Sequence, residues 1–522
     1  MGAVWAAVTV AVVAPVFGVS SESPSRPADL AGVAGFVAIW VFVLLLLSAA
    51  TRRSGRSALA KFLGLAALGA AAWGLWGIRT CFASRAVLPL VPVSTGACVM
   101  AAATMIAAAT AAVLSLILSA FRRHAEARTA LCTFVVVLIA VSALIHHVVQ
   151  DYRARLWQPG LTAAAAPVAS LPDRIGTARY RLPPLGEHPP PKVLAAGNGF
   201  IVRAGDEVTA YDGPTGALRW RAKDFGEYRL SAVEVVRRDL HDATGIVALF
   251  FDGAVVALDG SSGAVVWRRQ YGGRMIASSA SVDALGMTVN DNKPAPDNRT
   301  LVYSLEPANG EVRWRKASSC SDPTGAGATP GQLVFFCDGT PAVIDAHNGN
   351  TVNIPAQKFD DFAAGVDVYV AWNYAGRAQG PNAADTIFVI DPNGRIIDQI
   401  PGVYAMSKPA GGRLLLYDGR DGWTLRDYYK EKSTTVPVHV VEHSRRLSQL
   451  PTAWLNHRLV LSVPYELQPV LVIDPDSLTI ESVTIEKICP LQATIRSLQV
   501  VAGAVVAECG ENDLIGLVPE AI

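Results

Sequence analysis

The 522-residue sequence predicts two modules of different fold class: an N-terminal all-α transmembrane bundle of about five helices, and a C-terminal all-β propeller. Three observations support this prediction. Long apolar runs recur in the first 150 residues, an eleven-residue pattern later repeats every 47 residues, and the two parts carry opposite net charge. The predicted boundaries are a transmembrane domain over residues 1–150, a proline-rich linker over 151–194 and a propeller over 195–522.

Residues 1–150 contain five apolar runs that can cross a bilayer, for which about 20 residues are needed. No charge falls in the middle of any run, and Gly and Ala are abundant in the third and fourth, where small residues let helices pack closely. A soluble helix would need a polar face, and none is present. We therefore expect a multi-pass plasma-membrane protein embedded in the lipid bilayer. The runs are Val4–Ser20, Ala31–Ala50, Ala58–Ile78, Thr95–Ala120 and Thr129–Val149.

The distribution of basic residues predicts the orientation of these spans. The first 150 residues hold ten basic and three acidic residues, which leaves 35 basic and 41 acidic residues for the rest. The most basic loops, Thr51–Ser57 and Phe121–Arg128, are two spans apart and can share the cytoplasmic side. The N-terminus is then cytoplasmic and the C-terminal part extracytoplasmic. A cleaved signal peptide is the alternative for the first run, although this run lacks a basic n-region, and cleavage would not change the placement.

Two close cysteine pairs fall in the part predicted to be exported, Cys320 with Cys337 and Cys489 with Cys509. Exported domains keep disulfides that cytosolic domains rarely retain, and a β-hairpin can bring each pair within range. Spacing alone does not fix connectivity, so a bridge and two free thiols both stay open for each pair. The sequence has no zinc-type cysteine cluster, and no metal site is predicted.

Between Pro159 and Pro191 there are eight prolines, a density that favours an extended, semi-rigid spacer. Within it, Ala178–Leu182 alternates enough to form a strand, so that the linker would end by joining the next domain.

An eleven-residue pattern then occurs three times, at Ala210–Trp220, Ala257–Trp267 and Ser304–Trp314. An apolar run leads into an acidic residue, a Gly follows, and a Trp ends each copy. We interpret this as a buried strand, an acid-capped turn with Gly at positive φ, and a second strand whose Trp fills the gap to the neighbouring sheet. Radial repetition of such sheets predicts a propeller. The repeat positions are Asp212, Gly216 and Trp220, then Asp259, Gly263 and Trp267, then Glu306, Gly310 and Trp314.

Weaker copies continue the series. Asp345 and Gly349 keep the turn but are followed by Asn353 where Trp is expected, Val389–Gly394 shortens the turn, and Val472–Ser477 replaces Gly with Ser. Units of roughly 40–47 residues predict eight blades. Seven blades are the alternative, because the units near residues 400–450 are too degenerate to count.

The strong copies resemble the tryptophan-docking motif of quinoprotein-type (PQQ-like) β-propellers, Ala-x-Asp-x-x-Thr-Gly-x-x-x-Trp in each blade. The resemblance covers about residues 195–522 and implies the fold rather than an activity. In that superfamily, alcohol and glucose dehydrogenases bind pyrroloquinoline quinone (PQQ) and calcium at the propeller axis, whereas an outer-membrane assembly scaffold lipoprotein binds proteins. Spans followed by a propeller also resemble membrane-bound glucose dehydrogenases and actinobacterial membrane proteins.

The chain departs from the dehydrogenases of that superfamily. It has no adjacent cysteine pair, which the alcohol dehydrogenases of the superfamily have and the glucose dehydrogenase type lacks. Its propeller of about 325 residues also lacks the insertions that build the cofactor cage of those enzymes. We predict no catalytic, cofactor-binding or metal-binding residue, and we interpret the repeat acids as turn caps.

The predicted function is a non-enzymatic binding or scaffold module of the cell envelope, with an envelope protein, a glycan or a lipid-linked molecule as partner. The alternative is a PQQ-dependent membrane dehydrogenase, with PQQ and calcium as cofactors, that passes electrons to quinone. Nucleic acid is not an expected partner, because the larger part of the chain is mildly acidic and has no basic stripe.

Overall fold

A computed structural model describes residues 157–519 of the chain, with gaps. The predicted spans lie in residues 1–150, outside the described residues, so the bundle and its orientation stay predictions. Within the described part, we find no helix with the length and apolarity needed to cross a membrane. The gaps are 165–166, 183–191, 227, 237–244, 272, 291–298, 319, 321–322, 355–357, 366–367, 374–384, 408, 410–411, 419–422, 437–447, 450, 456–457, 463–469, 484–487, 490–492 and 511–512.

The described residues form eight β-sheets, which confirms the predicted eight-bladed propeller over the seven-bladed alternative. Each blade has four antiparallel strands, which are given below in order from the axis outwards. Blade 1 consists of β2 (Lys192–Ala196), β3 (Gly199–Ala204), β4 (Glu207–Asp212) and β5 (Leu218–Ala222). Blade 2 consists of β6 (Leu230–Val236), β7 (Ile246–Phe251), β8 (Ala254–Asp259) and β9 (Val265–Gln270). Blade 3 consists of β10 (Arg274–Ala280), β11 (Leu285–Asn290), β12 (Thr300–Leu305) and β13 (Val312–Ala317). Blade 4 consists of β14 (Thr324–Thr329), β15 (Gln332–Cys337), β16 (Thr340–Asp345) and β17 (Thr351–Val352).

The second half of the ring follows the same order with less regular strands. Blade 5 consists of β18 (Asp361–Ala364), β19 (Tyr369–Asn373), β20 (Asp385–Ile390) and β21 (Ile396–Val403). Blade 6 consists of β22 (Ala405–Met406), β23 (Arg413–Tyr417), β24 (Trp423–Asp427) and β25 (Lys432–Val436), and β26 (Ser448–Gln449) pairs in parallel with β22. Blade 7 consists of β27 (Thr452–Trp454), β28 (Leu459–Leu461), β29 (Val470–Ile473) and β30 (Ile480–Val483). Blade 8 consists of β31 (Ile495–Val501), β32 (Ala504–Cys509), β33 (Asp513–Val518) and, outermost, β1 (Thr177–Leu182).

The burial of each strand reflects its place in the blade. All six residues of β32, a second strand, are buried, as expected for a strand with a neighbouring sheet on each face. The outermost strands instead mix buried, half-buried and exposed positions, as in β5. Consecutive first strands approach one another around the axis, for example β2 with β6 and β31 with β2. Apolar side chains pack between neighbouring sheets, so the core is distributed over the junctions between blades.

The ring is closed by a strand from the N-terminal side of the propeller. Strand β1 pairs antiparallel with β33, and this pairing sets Tyr180 opposite Gly516. This strand includes Ala178–Leu182, which the sequence predicts as a strand, and it lies within the segment predicted as a linker. The blade that contains the C-terminal strands therefore obtains its outermost strand from a segment more than 300 residues earlier.

Two disulfides occupy equivalent places in blades 4 and 8. Cys320 precedes the first strand of blade 4 and bonds to Cys337, the last residue of the second strand, with a Cα–Cα distance of 5.7 Å. Cys489 precedes the first strand of blade 8 and bonds to Cys509, again the last residue of the second strand, at 5.6 Å. Each disulfide thus ties the chain entering a blade to that blade's interior.

Candidate functional site

In blades 1–5 the repeat motif builds the turn between the third and fourth strands. In blade 1 the Asp212 carboxylate accepts hydrogen bonds from the backbone N–H of Thr215 at 3.2 Å and from its hydroxyl at 2.7 Å. The N–H of Gly216 donates to the carbonyl of Asp212 at 2.8 Å, and Gly216 has φ of 68°, which favours glycine. We call the end of the propeller that carries these turns the turn face, and we call Asp212 and its equivalents the turn acids.

The other turn acids show one exception to this geometry. Asp259 and Asp345 each accept two backbone N–H groups of their turns, as does Asp391 in the shortened turn. Glu306 differs because its longer side chain accepts hydrogen bonds from the Arg313 guanidinium, at 3.0 and 2.8 Å. The turn around Glu306 is closed instead by its backbone, where Gly310 N–H donates to the Glu306 carbonyl at 2.7 Å.

The repeat tryptophans connect neighbouring blades, and we call each junction between two blades a seam. The indole N–H of Trp220 in blade 1 donates to the carbonyl of Gly260 in blade 2 at 2.8 Å. Trp267 donates to Pro307 of blade 3 at 2.6 Å, and Trp314 to Ala346 of blade 4 at 2.9 Å. In all three cases the acceptor is the residue directly after the turn acid of the next blade.

A fourth aromatic side chain, Tyr180, makes the same connection between blades 8 and 1. Its hydroxyl donates to the carbonyl of Gly213, the residue after the turn acid Asp212, at 2.8 Å. A Cβ at Gly216 would lie 2.4 Å from the Tyr180 ring, and one at Gly516 would lie 1.9 Å from it, so two glycines make room for this side chain. Sequence reasoning missed Tyr180. The available signal was the triplet Arg179-Tyr180-Arg181, which repeats the Arg-aromatic-Arg pattern around Trp220 and Trp314.

Blades 6 and 7 also have turn acids, but their turns lack glycine. Asp427, which the sequence analysis did not identify, accepts N–H groups from Tyr429 and Lys430, and Asp474 accepts them from Asp476 and Ser477. The prediction that Ser477 replaces the glycine was wrong. Leu478 takes that position, because its N–H donates to the Asp474 carbonyl and its φ is 59°. In blade 6, Glu431 lies as many residues after its turn acid Asp427 as Leu478 lies after Asp474, and it has φ of 49°.

Polar side chains connect the sheets at the seams between blades 4 and 5 and between blades 5 and 6. Gln332 of blade 4 donates to the Pro392 carbonyl of blade 5 at 3.0 Å and accepts the Tyr369 hydroxyl. Burial raises the pKa of Tyr369 to about 12, which keeps this hydroxyl a donor. Between blades 5 and 6, Asp398 accepts hydrogen bonds from Arg426 at 2.8 Å and from Tyr428 at 3.0 Å.

At the next seam, Lys430 of blade 6 contacts Asp476 of blade 7 at 3.0 Å. Both residues belong to the glycine-free turns, so this ion pair joins those turns on the turn face.

A side-chain hydrogen bond on the turn face also joins blades 3 and 4. Asp283 accepts the His347 Nε2 at 2.9 Å and the Gly331 N–H at 3.0 Å. Burial alone would raise the pKa of Asp283, but the Gly331 hydrogen bond and the His347 charge outweigh it and lower the pKa below its usual value.

Residues 158–170, which we call the strap, lie against blades 8, 1 and 2. Leu161 exchanges two backbone hydrogen bonds with Arg221 at the outer edge of blade 1, and Ala163 N–H donates to the Ser262 carbonyl of blade 2 at 2.9 Å. Further along, the Ser170 carbonyl accepts the Gly503 N–H of blade 8 at 2.9 Å. This part of the predicted spacer is therefore bound to the propeller through both backbone N–H and carbonyl groups.

Ligands for the calcium ion of a calcium–PQQ pair are not grouped among the described residues near the axis. The axial carboxylate of blade 2, Glu234, accepts the Ser278 hydroxyl at 2.8 Å and lies 3.7 Å from the Lys192 ammonium. Over the described part of the chain, no three His, Cys, Asp or Glu side chains are grouped as metal ligands. We therefore derive no reaction step through these cofactors.

The comparisons with known proteins agree with the repeat. The PQQ_2 family model, described as outer membrane protein assembly factor BamB, matches residues 143–398, slightly less than half of the chain. No curated protein matches the sequence.

Solved structures with a likeness include the computationally designed Ika8 protein, which is 15% identical with a TM-score of 0.43 over 67% of this chain and 98% of that one. BamB from Moraxella catarrhalis is 12% identical with a TM-score of 0.38 over 63% of this chain and 96% of that one. Quinohemoprotein alcohol dehydrogenase from Comamonas testosteroni is 13% identical with a TM-score of 0.38 over 67% and 77%. Likenesses at this level carry no functional conclusion.

Proposed function

We propose that this chain is a membrane-anchored, extracytoplasmic β-propeller that works as a non-enzymatic binding or scaffold module of the cell envelope. Its partner would be an envelope protein, a glycan or a lipid-linked molecule. The apolar runs of residues 1–150 would provide the anchor, and their basic loops would set the orientation.

The proposal rests on one observation: the repeated polar side chains of the propeller make hydrogen bonds within the ring. Asp212, Asp259 and Asp345 accept the N–H groups of their own turns, and Trp220, Trp267 and Trp314 donate to the next blade. The hydrogen-bonding groups of these side chains thus stabilise the ring itself. What the ring then offers to solvent is a set of turns on a rigid scaffold, and such loops are where binding residues concentrate.

Two further observations support the proposal. The matched family model is described as an assembly factor, a description that fits a binding role. The two disulfides fit an extracytoplasmic location, because such bonds persist in oxidising compartments.

Crosslinking of the full chain in native membranes, followed by purification and mass spectrometry, tests this proposal. We expect a specific envelope partner to be enriched with the wild-type chain. A preparation that contains only the affinity tag serves as the control for background.

Reconstitution of the purified chain with PQQ and Ca²⁺ tests the dehydrogenase alternative. We expect neither a bound-quinone absorbance nor dye reduction with sugars or alcohols. Either signal would contradict the non-enzymatic proposal.

A further inference from the structure

The outermost strands of the propeller differ in charge between the two halves of the ring. In blades 8, 1, 2 and 3 these strands are β1, β5, β9 and β13, and they contain nine Arg or Lys residues and no Asp or Glu. The outermost strands of blades 4–7 contain one Lys and two acidic residues. We call the outer edge formed by β1, β5, β9 and β13 the basic rim. Positive charge is therefore concentrated on one side of the ring, in a chain whose formal net charge is only +1.

Apolar side chains are exposed on the same edge. Leu218, Val266 and Val312 lie on the outermost strands of blades 1–3, and each is close to half exposed. Leu161 of the strap is exposed to a similar degree, and its backbone pairs with Arg221 of β5. Exposed aliphatic side chains beside Arg and Lys are typical of surfaces that rest on lipid, because the apolar groups enter the acyl boundary while the cations meet the headgroup phosphates.

The arginines of this edge stay accessible although they have acidic partners. Arg181 bonds to Asp513 through one guanidinium nitrogen, and its side chain is still 55% exposed. Arg221 contacts Glu207 at 3.0 Å, and its side chain is still 38% exposed. A guanidinium carries five N–H donors in a planar fork, so contact with one carboxylate leaves donors for a phosphate. Both arginines can thus contact a headgroup while they keep their partners in the protein.

The connection between the predicted spans and the propeller leads to this edge. By sequence, the last predicted span ends at Val149, and the strap begins at residue 158. The nine residues over this interval extend to at most about 30 Å. The strap exchanges two backbone hydrogen bonds with Arg221 on the basic rim. An anchor that ends at Val149 would therefore tether the basic rim close to a bilayer surface.

We propose that the basic rim docks on the surface of an anionic phospholipid bilayer. Leu161, Leu218 and Val266 would lie at the acyl boundary. Arg181 and Arg221 would bind headgroup phosphates beside them. This inference rests on the proposed membrane-anchored function and adds the face through which the propeller meets the membrane. Because blades 4–7 form the other side of the ring, their outer edges would face away from the lipid.

Site-specific photo-crosslinking of the full chain in lipid vesicles tests the inference. The benzophenone amino acid p-benzoylphenylalanine replaces Leu218 in one variant and Ile397 in the other, and we call these the Leu218 probe and the Ile397 probe. Both side chains are 44% exposed, and both lie on outermost strands, in blades 1 and 5, so the probes match in exposure and differ in position. The vesicles contain phosphatidylcholine, alone or mixed with phosphatidylglycerol at about three to one. In the mixed vesicles we expect the Leu218 probe to form lipid adducts about fivefold or more as often as the Ile397 probe.

Charge variants test whether the arginines contribute to docking. Arg181→Gln together with Arg221→Gln should lower the adduct yield of the Leu218 probe about threefold or more in mixed vesicles. Lys432→Gln removes an exposed charge from the outermost strand of blade 6 and is the matched control, which should leave the yield unchanged. Salt gives a second measurement that needs no arginine substitution. Raising the salt concentration to about 1 M should lower the yield of the Leu218 probe, because the charges are then screened.

Two results would overturn the inference. One is an equal yield of lipid adducts from the two probes, and the other is a yield from the Leu218 probe that responds to neither phosphatidylglycerol nor salt. In native membranes, adducts of the Leu218 probe with a protein and none with lipid would also overturn it, because this edge would then be a protein interface.

Carbonate extraction and partner crosslinking separate these results from failure of the proposed function. If the chain resists extraction and captures a partner while the Leu218 probe gives no lipid adduct, the proposed function stands and the docking of the basic rim is wrong. If carbonate releases the chain from native membranes, the anchor is wrong and the docking inference falls with it.

Discussion

The ring can be divided into two arcs. The first arc runs from blade 8 through blades 1–3 to blade 4, and the second runs from blade 4 through blades 5–7 to blade 8. Different side-chain groups connect the blades in the two arcs. In the first arc an aromatic side chain of each blade donates a hydrogen bond to the turn of the next, through Tyr180, Trp220, Trp267 and Trp314. In the second arc Gln332, Asp398 and Lys430 make the first three connections. The two disulfides lie in blades 4 and 8, where the arcs meet.

The comparison shows that the docking motif is one of several ways to hold neighbouring blades together. The second arc also contains tryptophans, but Trp372 and Trp423 bury indole N–H groups that have no hydrogen-bond partner. Apolar packing between sheets continues through both arcs. Among the described residues, sheet-to-sheet packing therefore holds both arcs, and the repeated aromatic hydrogen bond is found in the first arc.

The largest effect is expected from Trp220→Ala. The Trp220 side chain is completely buried and bonds to Gly260, so its removal leaves a cavity and an unpaired carbonyl. We expect a loss of about 3–5 kcal/mol in the free energy of unfolding. Urea unfolding followed by tryptophan fluorescence measures it. Leu218→Ala, an exposed change on the same strand, should stay within about 0.5 kcal/mol of wild type.

Tryptophan-to-phenylalanine changes compare the two arcs directly. Trp220→Phe removes a hydrogen bond and leaves the Gly260 carbonyl unpaired, whereas Trp423→Phe removes an N–H that has no partner. We expect Trp220→Phe to be more destabilising by about 1–3 kcal/mol, measured by urea unfolding. Equal losses would mean that the indole hydrogen bonds do not distinguish the arcs.

Removal of the turn glycine in one blade and introduction of a glycine at that position in another should change the free energy of unfolding in opposite directions. Gly349→Ala places a Cβ 3.0 Å from the Trp314 ring at φ of 76°, so we expect destabilisation of about 1–3 kcal/mol. Leu478→Gly relieves a positive φ in blade 7, and we expect a gain of up to about 1 kcal/mol. Thermal unfolding by circular dichroism reports both. A destabilising Leu478→Gly would show that the half-buried leucine is needed for packing.

Tyr180→Phe tests whether the closing strand is docked like the repeat tryptophans. The change removes only the hydroxyl that bonds to Gly213 at 2.8 Å. We expect a loss of about 1 kcal/mol in unfolding free energy. Hydrogen exchange should accelerate first in β1 and β33, and unchanged exchange there would contradict the docking role.

The smallest expected effect is the pH dependence of stability that arises from Asp283, at the seam between blades 3 and 4. The pKa of Asp283 is lowered in the folded protein, so its stabilisation is present above the unfolded value of about 3.8 and is lost as pH falls through the lower folded value. Asp283→Asn should flatten the stability profile below about pH 4. Unfolding midpoints of wild type and variant between pH 2 and 7 measure this, and parallel profiles would contradict it.

Much of the propeller could be predicted because a blade is a local pattern. An apolar strand, a turn acid, a glycine and a Trp lie within eleven residues, so three copies identified the fold and its period. Asp427 was missed because its turn has Tyr429 and Glu431 instead of the small residues and glycine of the motif. The blade count in that region therefore needed the strand pairing itself.

The sequence by itself determined the blade unit, the docking tryptophans and most of the turn acids, because each is expressed in neighbouring residues. Only the tertiary structure decided how the ring closes. Pairing of β1 with β33 brings Tyr180 beside Gly516, and the strap reaches Ser262 and Gly503. Contacts between residues this far apart leave no periodic signal, since they depend on how eight sheets are arranged around one axis. The same reason applies to the two disulfides, whose pairing depends on where the strands place the sulfur atoms.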